Sequence, residues 1–279
     1  MDSHKRQLLL GAGSLGFAAM STALSACGDS EAATDSAAAS PSRKETIVLV
    51  HGSFHGGWCW RKLSPLLRQA GYLVLAPSLT GLADRARYGS TSIGLSGHIE
   101  EIAQLLAFED LSDVVLVGHS YAGMVLSGVA ETQSARIRRL VYLDAFVPAD
   151  GNKAFDFLPP NFASDWLAAA QAGSGWGVPP LPPAVFGVTN PDDASWLQAH
   201  MTPMPYLTHN EPVRLPANRA ASLKRSYLWC QQSGLLDATA ARVRQDAGWD
   251  FQTLDSGHDV MVTAPALLAG ALFDAIARG

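Results

Sequence analysis

Val114-Val115-Leu116-Val117-Gly118-His119-Ser120-Tyr121-Ala122-Gly123 is the stretch that decides the fold of this chain. Four consecutive aliphatic residues read as a strand buried on both faces, and the apolar pattern from Tyr121 to Thr132 reads as a helix. Between them, small residues flank Ser120. A strand, a sharp turn and a helix hold such a serine hydroxyl above a sheet edge, while the first N–H groups of the helix favour an oxyanion nearby. The stretch departs from G-x-S-x-G, since Ala122 stands where the second glycine usually sits and Gly123 follows one place later. Alanine is small enough for that turn.

Outward from this point the same rhythm repeats. Thr46–Val50, Tyr72–Leu75, Leu140–Leu143, Ser226–Trp229 and Trp249–Leu254 read as further strands, and Trp60–Ala70, His98–Phe108, Ala238–Asp246 and Pro265–Ala277 as helices. Near-continuous apolar runs in the central strands indicate burial on both faces, so the fold class is α/β with a mainly parallel six-stranded sheet flanked by helices. One stretch breaks the rhythm. Residues 148–216 hold 12 of the 16 prolines together with Trp166, Trp176, Phe186, Trp196, Met201, Met204 and Tyr206, without strand alternation. So long an insertion, loaded with large apolar side chains, is expected to be a cap over a cleft.

The N-terminus differs from the rest. Lys5-Arg6 precedes an uncharged run from Leu8 to Ala26 that ends at Cys27, the pattern of a secretory leader. Leu24-Ser25-Ala26-Cys27 resembles a bacterial lipobox, whose cysteine is acylated, and Ser3-His4-Lys5-Arg6-Gln7-Leu8-Leu9 resembles a twin-arginine signal with lysine for the first arginine. An uncleaved spanning helix is the alternative, disfavoured by the many Gly, Ser and Ala. Residues 1–27 are thus expected to be an export leader, 28–44 a small, polar tether, and 45–279 the globular domain. The protein is expected in a bacterial cell envelope, touching a membrane only through a lipid on Cys27.

The chain has 279 residues, 48% hydrophobic and 16% charged, with a net charge of −5, which suits a sizeable core and leaves no basic surplus for nucleic acid. Of the 3 cysteines, Cys59 and Cys230 lie in apolar stretches and read as buried small hydrophobes.

From Glu45 onward the chain resembles the α/β-hydrolase family, in the branch that includes plant methylesterases and plant hydroxynitrile lyases. The resemblance rests on His51-Gly52-Ser53-Phe54-His55-Gly56-Gly57-Trp58-Cys59-Trp60, on Leu79-Thr80-Gly81-Leu82, on the turn at Ser120, and on Gly257-His258-Asp259 followed by Pro265. It implies Ser120 as nucleophile, His258 as its base, and the backbone N–H groups of Ser53 and Tyr121 as oxyanion donors. The acid is less direct. Gln231, Gln232 and Ser233 occupy the loop where related methylesterases carry an aspartate, so Asp144, at the end of the Leu140–Leu143 strand, is the assignment. Asp237 is the alternative, with a helix N-terminal cap as its plain structural role. Asp259, adjacent to His258, is expected to point away. His51 and His55 make a weak metal pair because no carboxylate or helical spacing accompanies them.

The expected activity is hydrolysis of a small to medium apolar or aromatic ester through an acyl-enzyme, needing no metal or organic cofactor. Two rivals are a hydroxynitrile lyase and a non-catalytic binding protein on the same scaffold. The lyases carry lysine after the catalytic histidine and threonine at the position of Gly52, whereas this chain has Asp259 and Gly52; a binding protein would normally have lost the serine or the histidine.

Overall fold

The structure is a computed structural model that describes residues 45–278. The leader, Cys27 and the tether expected over 28–44 lie outside the described residues. In chain order the strands are β1 (Thr46–Val50), β2 (Leu73–Leu75), β3 (Val114–His119), β4 (Ile137–Leu143), β5 (Gly177–Val178), β6 (Met204–Pro205), β7 (Lys224–Cys230) and β8 (Asp250–Leu254). Six of them form one sheet in the order β2-β1-β3-β4-β7-β8, every neighbouring pair parallel.

The α-helices are α1 (Ser64–Gln69), α2 (Leu95–Phe108), α3 (Ala122–Gln133), α4 (Phe162–Ala172), α5 (Pro191–His200), α6 (Leu207–Asn210), α7 (Asp237–Arg244), α8 (Val260–Thr263) and α9 (Pro265–Ala277). The single helix expected over Trp60–Ala70 is instead a 3-10 turn at Gly57–Trp60 followed by α1. Pro65 accounts for the late start, since its fixed φ and missing N–H suit a first helical turn and not a helix interior. The α2 helix begins at Leu95, one turn before the expected His98.

The sheet's apolar runs are buried as their composition requires. All six residues of β3 are buried, and Leu116 and Val117 pair in register with Leu140 and Val141 of β4. Each such side chain contributes about 1.5–3 kcal/mol by leaving water. All six strands of this sheet run the same way, so the loops after β1, β3, β4 and β8 converge on one edge, where open α/β sheets bind their ligands.

Segment 148–216 lies against that edge. It contains α4, a 3-10 turn at Pro183–Phe186, α5 and α6, and β5 pairs antiparallel with β6 through Val178 and Met204, a short pairing the sequence pattern did not announce. Trp166, Phe186, Met201 and Met204 are buried. Backbone bonds stitch the segment down: Thr202 N–H donates to Phe54 C=O at 3.0 Å, and Asp259 N–H to Phe186 C=O at 3.0 Å. Gly187, in the left-handed region at φ 75°, packs so closely on Gly257 that a Cβ there would lie 2.9 Å from the Gly187 Cα. Among the described residues no helix is long and apolar enough to cross a membrane.

Candidate active site

Ser120 sits directly after β3 with φ 56°, a left-handed conformation that costs a non-glycine residue free energy and is held only by its surroundings. Three backbone bonds hold it: Ser120 N–H donates to Leu143 C=O at 3.2 Å, while its own carbonyl accepts from Gly123 and Phe146, each at 3.1 Å. The glycines around it answer the departure at Ala122. A Cβ on Gly123 would run into the Phe146 carbonyl, and one on Gly118 would meet Leu126 Cδ1 at 2.5 Å. Ala122, fully buried, fits.

Asp144 follows β4 in the same unusual conformation, φ 39°, with its N–H donating to Leu228 C=O on β7 at 2.8 Å. That twist places its carboxylate under the loop after β8. His258 Nδ1 lies 2.6 Å from Asp144 Oδ2, and both side chains are buried. A carboxylate only accepts, so Nδ1 carries the proton and the ring's Nε2 is left to act as a base. Ser120 and His258 line one cavity.

The alternative acid goes elsewhere. Asp237 opens α7, where its carboxylate accepts from the Trp229 indole N–H at 3.2 Å, so the capping role considered for it is not what its side chain does. Gln231 and Gln232 donate their side-chain amides to Asp255 at 2.8 and 2.7 Å.

Gly52 lets the loop after β1 come close: a Cβ there would lie 2.9 Å from the Ser120 Cβ. Ser53 follows it in the loop. Tyr121 is the residue before α3, at a helix start whose first N–H groups have no intrahelical carbonyl. The N–H groups of Ser53 and Tyr121 therefore belong to the two chain segments that flank the Ser120 hydroxyl.

The buried histidines also hold loops together in ways the sequence does not announce. His51 Nε2 accepts from Leu79 N–H at 3.0 Å and its Nδ1–H donates to Gly52 C=O at 2.8 Å; burial pushes its pKa down to about 3. His98 donates Nε2–H to Thr80 C=O at 2.9 Å and accepts from the Tyr121 hydroxyl at 3.1 Å. His119 donates Nε2–H to His258 C=O at 3.1 Å, beneath the His258 ring, and burial holds it well below its ordinary value.

The largest omission is a second carboxylate–imidazole pair. Asp259 does point away from the His258 ring, as expected, and its Oδ2 meets His55 Nε2 at 2.9 Å. His55 Nδ1 reaches Ser53 C=O at 2.6 Å. Both partners only accept, so both ring nitrogens must be protonated and His55 is an imidazolium. Burial works against that charge, but the Asp259 carboxylate and its hydrogen bond outweigh it and raise the His55 pKa. One of these bonds braces the Ser53 loop internally and the other ties it to the His258 loop. The only sequence cue was an Asp beside the histidine and a His two residues after Ser53.

Cys59 and Cys230 are free and buried, and burial lifts both thiols well above their ordinary pKa. Among the described residues no group of three or more His, Cys, Asp or Glu side chains could hold a metal ion.

The cavity beside Ser120 and His258 encloses about 190 Å³. Phe54, Phe146, Phe162, Trp166 and Phe186 line it together with aliphatic side chains such as Leu158, Leu181 and Val185, Ser53 and His209 add polar atoms, and no Asp, Glu, Lys or Arg side chain borders it.

The sequence profile of the Alpha/beta hydrolase family matches residues 47–271. The chain belongs to that family. It is 36% identical over 233 residues to the carbendazim hydrolyzing esterase of Nocardioides sp. (strain SG-4G), covering 80% of this chain and 96% of that protein. It is 36% identical over 134 residues to Methylesterase 1 of Arabidopsis thaliana, a match spanning 47% of this chain and 51% of the plant protein. Among solved structures, an extracellular α/β-hydrolase from a Paenibacillus species superposes with a TM-score of 0.73 at 23% identity, over 83% of this chain and 99% of that one.

Proposed function

We propose that this α/β-hydrolase is a serine esterase that cleaves small to medium, neutral, apolar or aromatic carboxylic esters through an acyl-enzyme. The reading rests on one observation above the others: His258 Nδ1 held at 2.6 Å by the buried Asp144, beside a serine on a strained turn in the same cavity. In this mechanism the free Nε2 of His258 takes the Ser120 proton as the hydroxyl attacks the ester carbonyl, and Asp144 stabilises the imidazolium that forms. The N–H groups of Ser53 and Tyr121 receive the oxyanion. His258 returns the proton to the leaving alcohol, and water then releases the acid by the same path. Segment 148–216 acts as the cap whose aromatic wall selects the substrate's apolar part.

Two features favour an esterase over a hydroxynitrile lyase. Gly52 has no room for the threonine the lyases carry, and Asp259 occupies the lysine position while committed to His55. The test is a panel of p-nitrophenyl and aryl methyl esters, with carbendazim included. A serine-directed phosphonate should label Ser120, and Ser120→Ala should lose turnover while keeping its fold. Turnover persisting in Ser120→Ala would remove the serine mechanism.

We place the protein in a cell envelope, anchored by a lipid on Cys27, on the strength of the sequence alone. Cys27→Ala should then block processing and membrane partitioning in a bacterial host; unchanged partitioning would refute the anchor.

A further inference from the structure

Beside the proposed oxyanion donor, the cavity holds a second hydroxyl–imidazole pair. Ser53 Oγ lies 3.0 Å from His209 Nε2. His209 comes from α6 in the cap, buried, its ring stacked on Tyr121 with centroids 4.9 Å apart and set against Trp166 at 5.0 Å. Its Nδ1 lies 3.0 Å from Thr208 Oγ1, which in turn lies 2.6 Å from Pro205 C=O.

The direction of this chain of bonds can be worked out. Pro205 C=O can only accept, and an oxygen–oxygen contact of 2.6 Å requires a proton between the atoms, so Thr208 donates to it. The Tyr121 hydroxyl, also beside Thr208, gives its own proton to His98 Nδ1, whose Nε2–H is spent on Thr80 C=O. Thr208 Oγ1 therefore accepts from His209 Nδ1–H, which leaves Nε2 as a lone pair, and Ser53 must donate its hydroxyl proton to Nε2. Burial keeps the His209 pKa near 3, so the ring stays neutral and this polarity persists through the working pH range.

Ser53 Oγ then has only lone pairs to offer. Both Ser53 and His209 line the cavity. Resting on the esterase reading above, we infer that Ser53 Oγ is a hydrogen-bond acceptor that selects esters bearing an O–H or N–H on the atom next to the carbonyl carbon: 2-hydroxy esters, 2-amido esters or N–H carbamates. The position follows from the geometry of one residue. The N–H and Oγ of a serine are three bonds apart, so a carbonyl oxygen held by the Ser53 N–H puts only the nearest substituent within reach of Oγ. In a wall otherwise mostly apolar, a substrate lacking that donor leaves the acceptor buried and unmet, a penalty large enough to discriminate about tenfold or more.

The experiment compares methyl mandelate with methyl 2-phenylpropanoate, which replace a hydroxyl by a methyl of similar size, each kcat/KM divided by the ester's own rate with hydroxide. Wild type should favour mandelate by about tenfold. That ratio should fall to about one in Ser53→Ala, and in His209→Phe, which keeps the ring stack but frees the Ser53 proton to turn toward the substrate. A parallel titration measures binding of mandelamide against 2-phenylpropanamide to the wild type and both variants, and reads recognition without turnover. Hydrolysis of both esters with no preference overturns the inference and leaves the esterase reading standing. No hydrolysis of any ester, with mandelamide still bound more tightly and that preference lost in Ser53→Ala, overturns the esterase reading and keeps the acceptor. A preference that survives in Ser53→Ala overturns the assignment to Ser53, and one that survives only in His209→Phe overturns the relay behind it.

Discussion

His55→Ala should be among the most destabilising single changes in the molecule, and Asp259→Asn, at the other end of the same contact, should be mild. The imidazolium and the carboxylate are 1% and 0% exposed and 2.9 Å apart. Removing the ring leaves Asp259 buried without a counter-charge, which costs about 3–5 kcal/mol. His119 does not rescue it: its Nε2 is 3.8 Å from Asp259 Oδ1 and donates to His258 C=O. Asp259→Asn behaves differently because the amide N–H can donate to Nε2 of a neutral His55 while Nδ1–H still holds Ser53 C=O. The chain of bonds survives and the loss is about 1 kcal/mol.

For a domain of this size, each kcal/mol moves Tm by about 2–4 °C, so His55→Ala should fall by about 6–20 °C and Asp259→Asn by about 2–4 °C. The pH dependence has a definite sign. His55 has its pKa raised on folding, from an unfolded value of 6.5, so its contribution is complete below pH 6.5 and fades as pH rises through the folded value. The Tm gap between wild type and Asp259→Asn should therefore hold below pH 6.5 and narrow above it. Thermal unfolding followed by circular dichroism across that range is the assay. A His55→Ala protein within about 2 °C of wild type, or one more stable than Asp259→Asn, would refute a buried imidazolium.

Asp144→Asn should fold normally and lower kcat by about four orders of magnitude, since an amide neither fixes the His258 tautomer nor stabilises its cation. Asp237→Asn, which can still accept from Trp229, should stay within about twofold of wild type; with one activated aryl ester, the reverse ranking would move the acid to α7. Gly123→Ala should cut kcat/KM at least about a hundredfold, because relieving its clash with the Phe146 carbonyl shifts the Ser120 turn, and near-normal kinetics would contradict the packing described there.

The parts of the fold legible in the sequence were those fixed by local chemistry. The aliphatic run of β3 could be buried only as a central strand, and Gly118 and Gly123 announced a turn too tight for side chains. Asp144 was suggested only through the family resemblance, because Gln231, Gln232 and Ser233 leave no carboxylate in that family's usual loop, and Asp237 stayed open as the alternative. What stayed hidden depends on contacts between distant residues. His55 and Asp259 are 204 positions apart, and Ser53 and His209 are 156 apart. No periodicity or propensity encodes such pairs. The β5–β6 pairing, two residues a side and rich in proline and glycine, likewise carries no strand signal and exists because segment 148–216 folds back on itself.

The stitching of the cap to the loop that carries His258 has a kinetic consequence. Phe186 C=O is bonded to Asp259 N–H, and Gly187 rests on Gly257, so swinging the cap outward along this edge would carry His258 off Asp144. On the proposed mechanism, a hinged lid here would pull apart the His258–Asp144 pair at every opening. Val185 and Leu235, cavity-lining side chains that are 38% and 40% exposed, offer a way in that leaves this pair undisturbed. Such exposed side chains change rotamer in picoseconds to nanoseconds, so turnover should be paced by bond making and breaking or by diffusion through a narrow gate, not by slow closure.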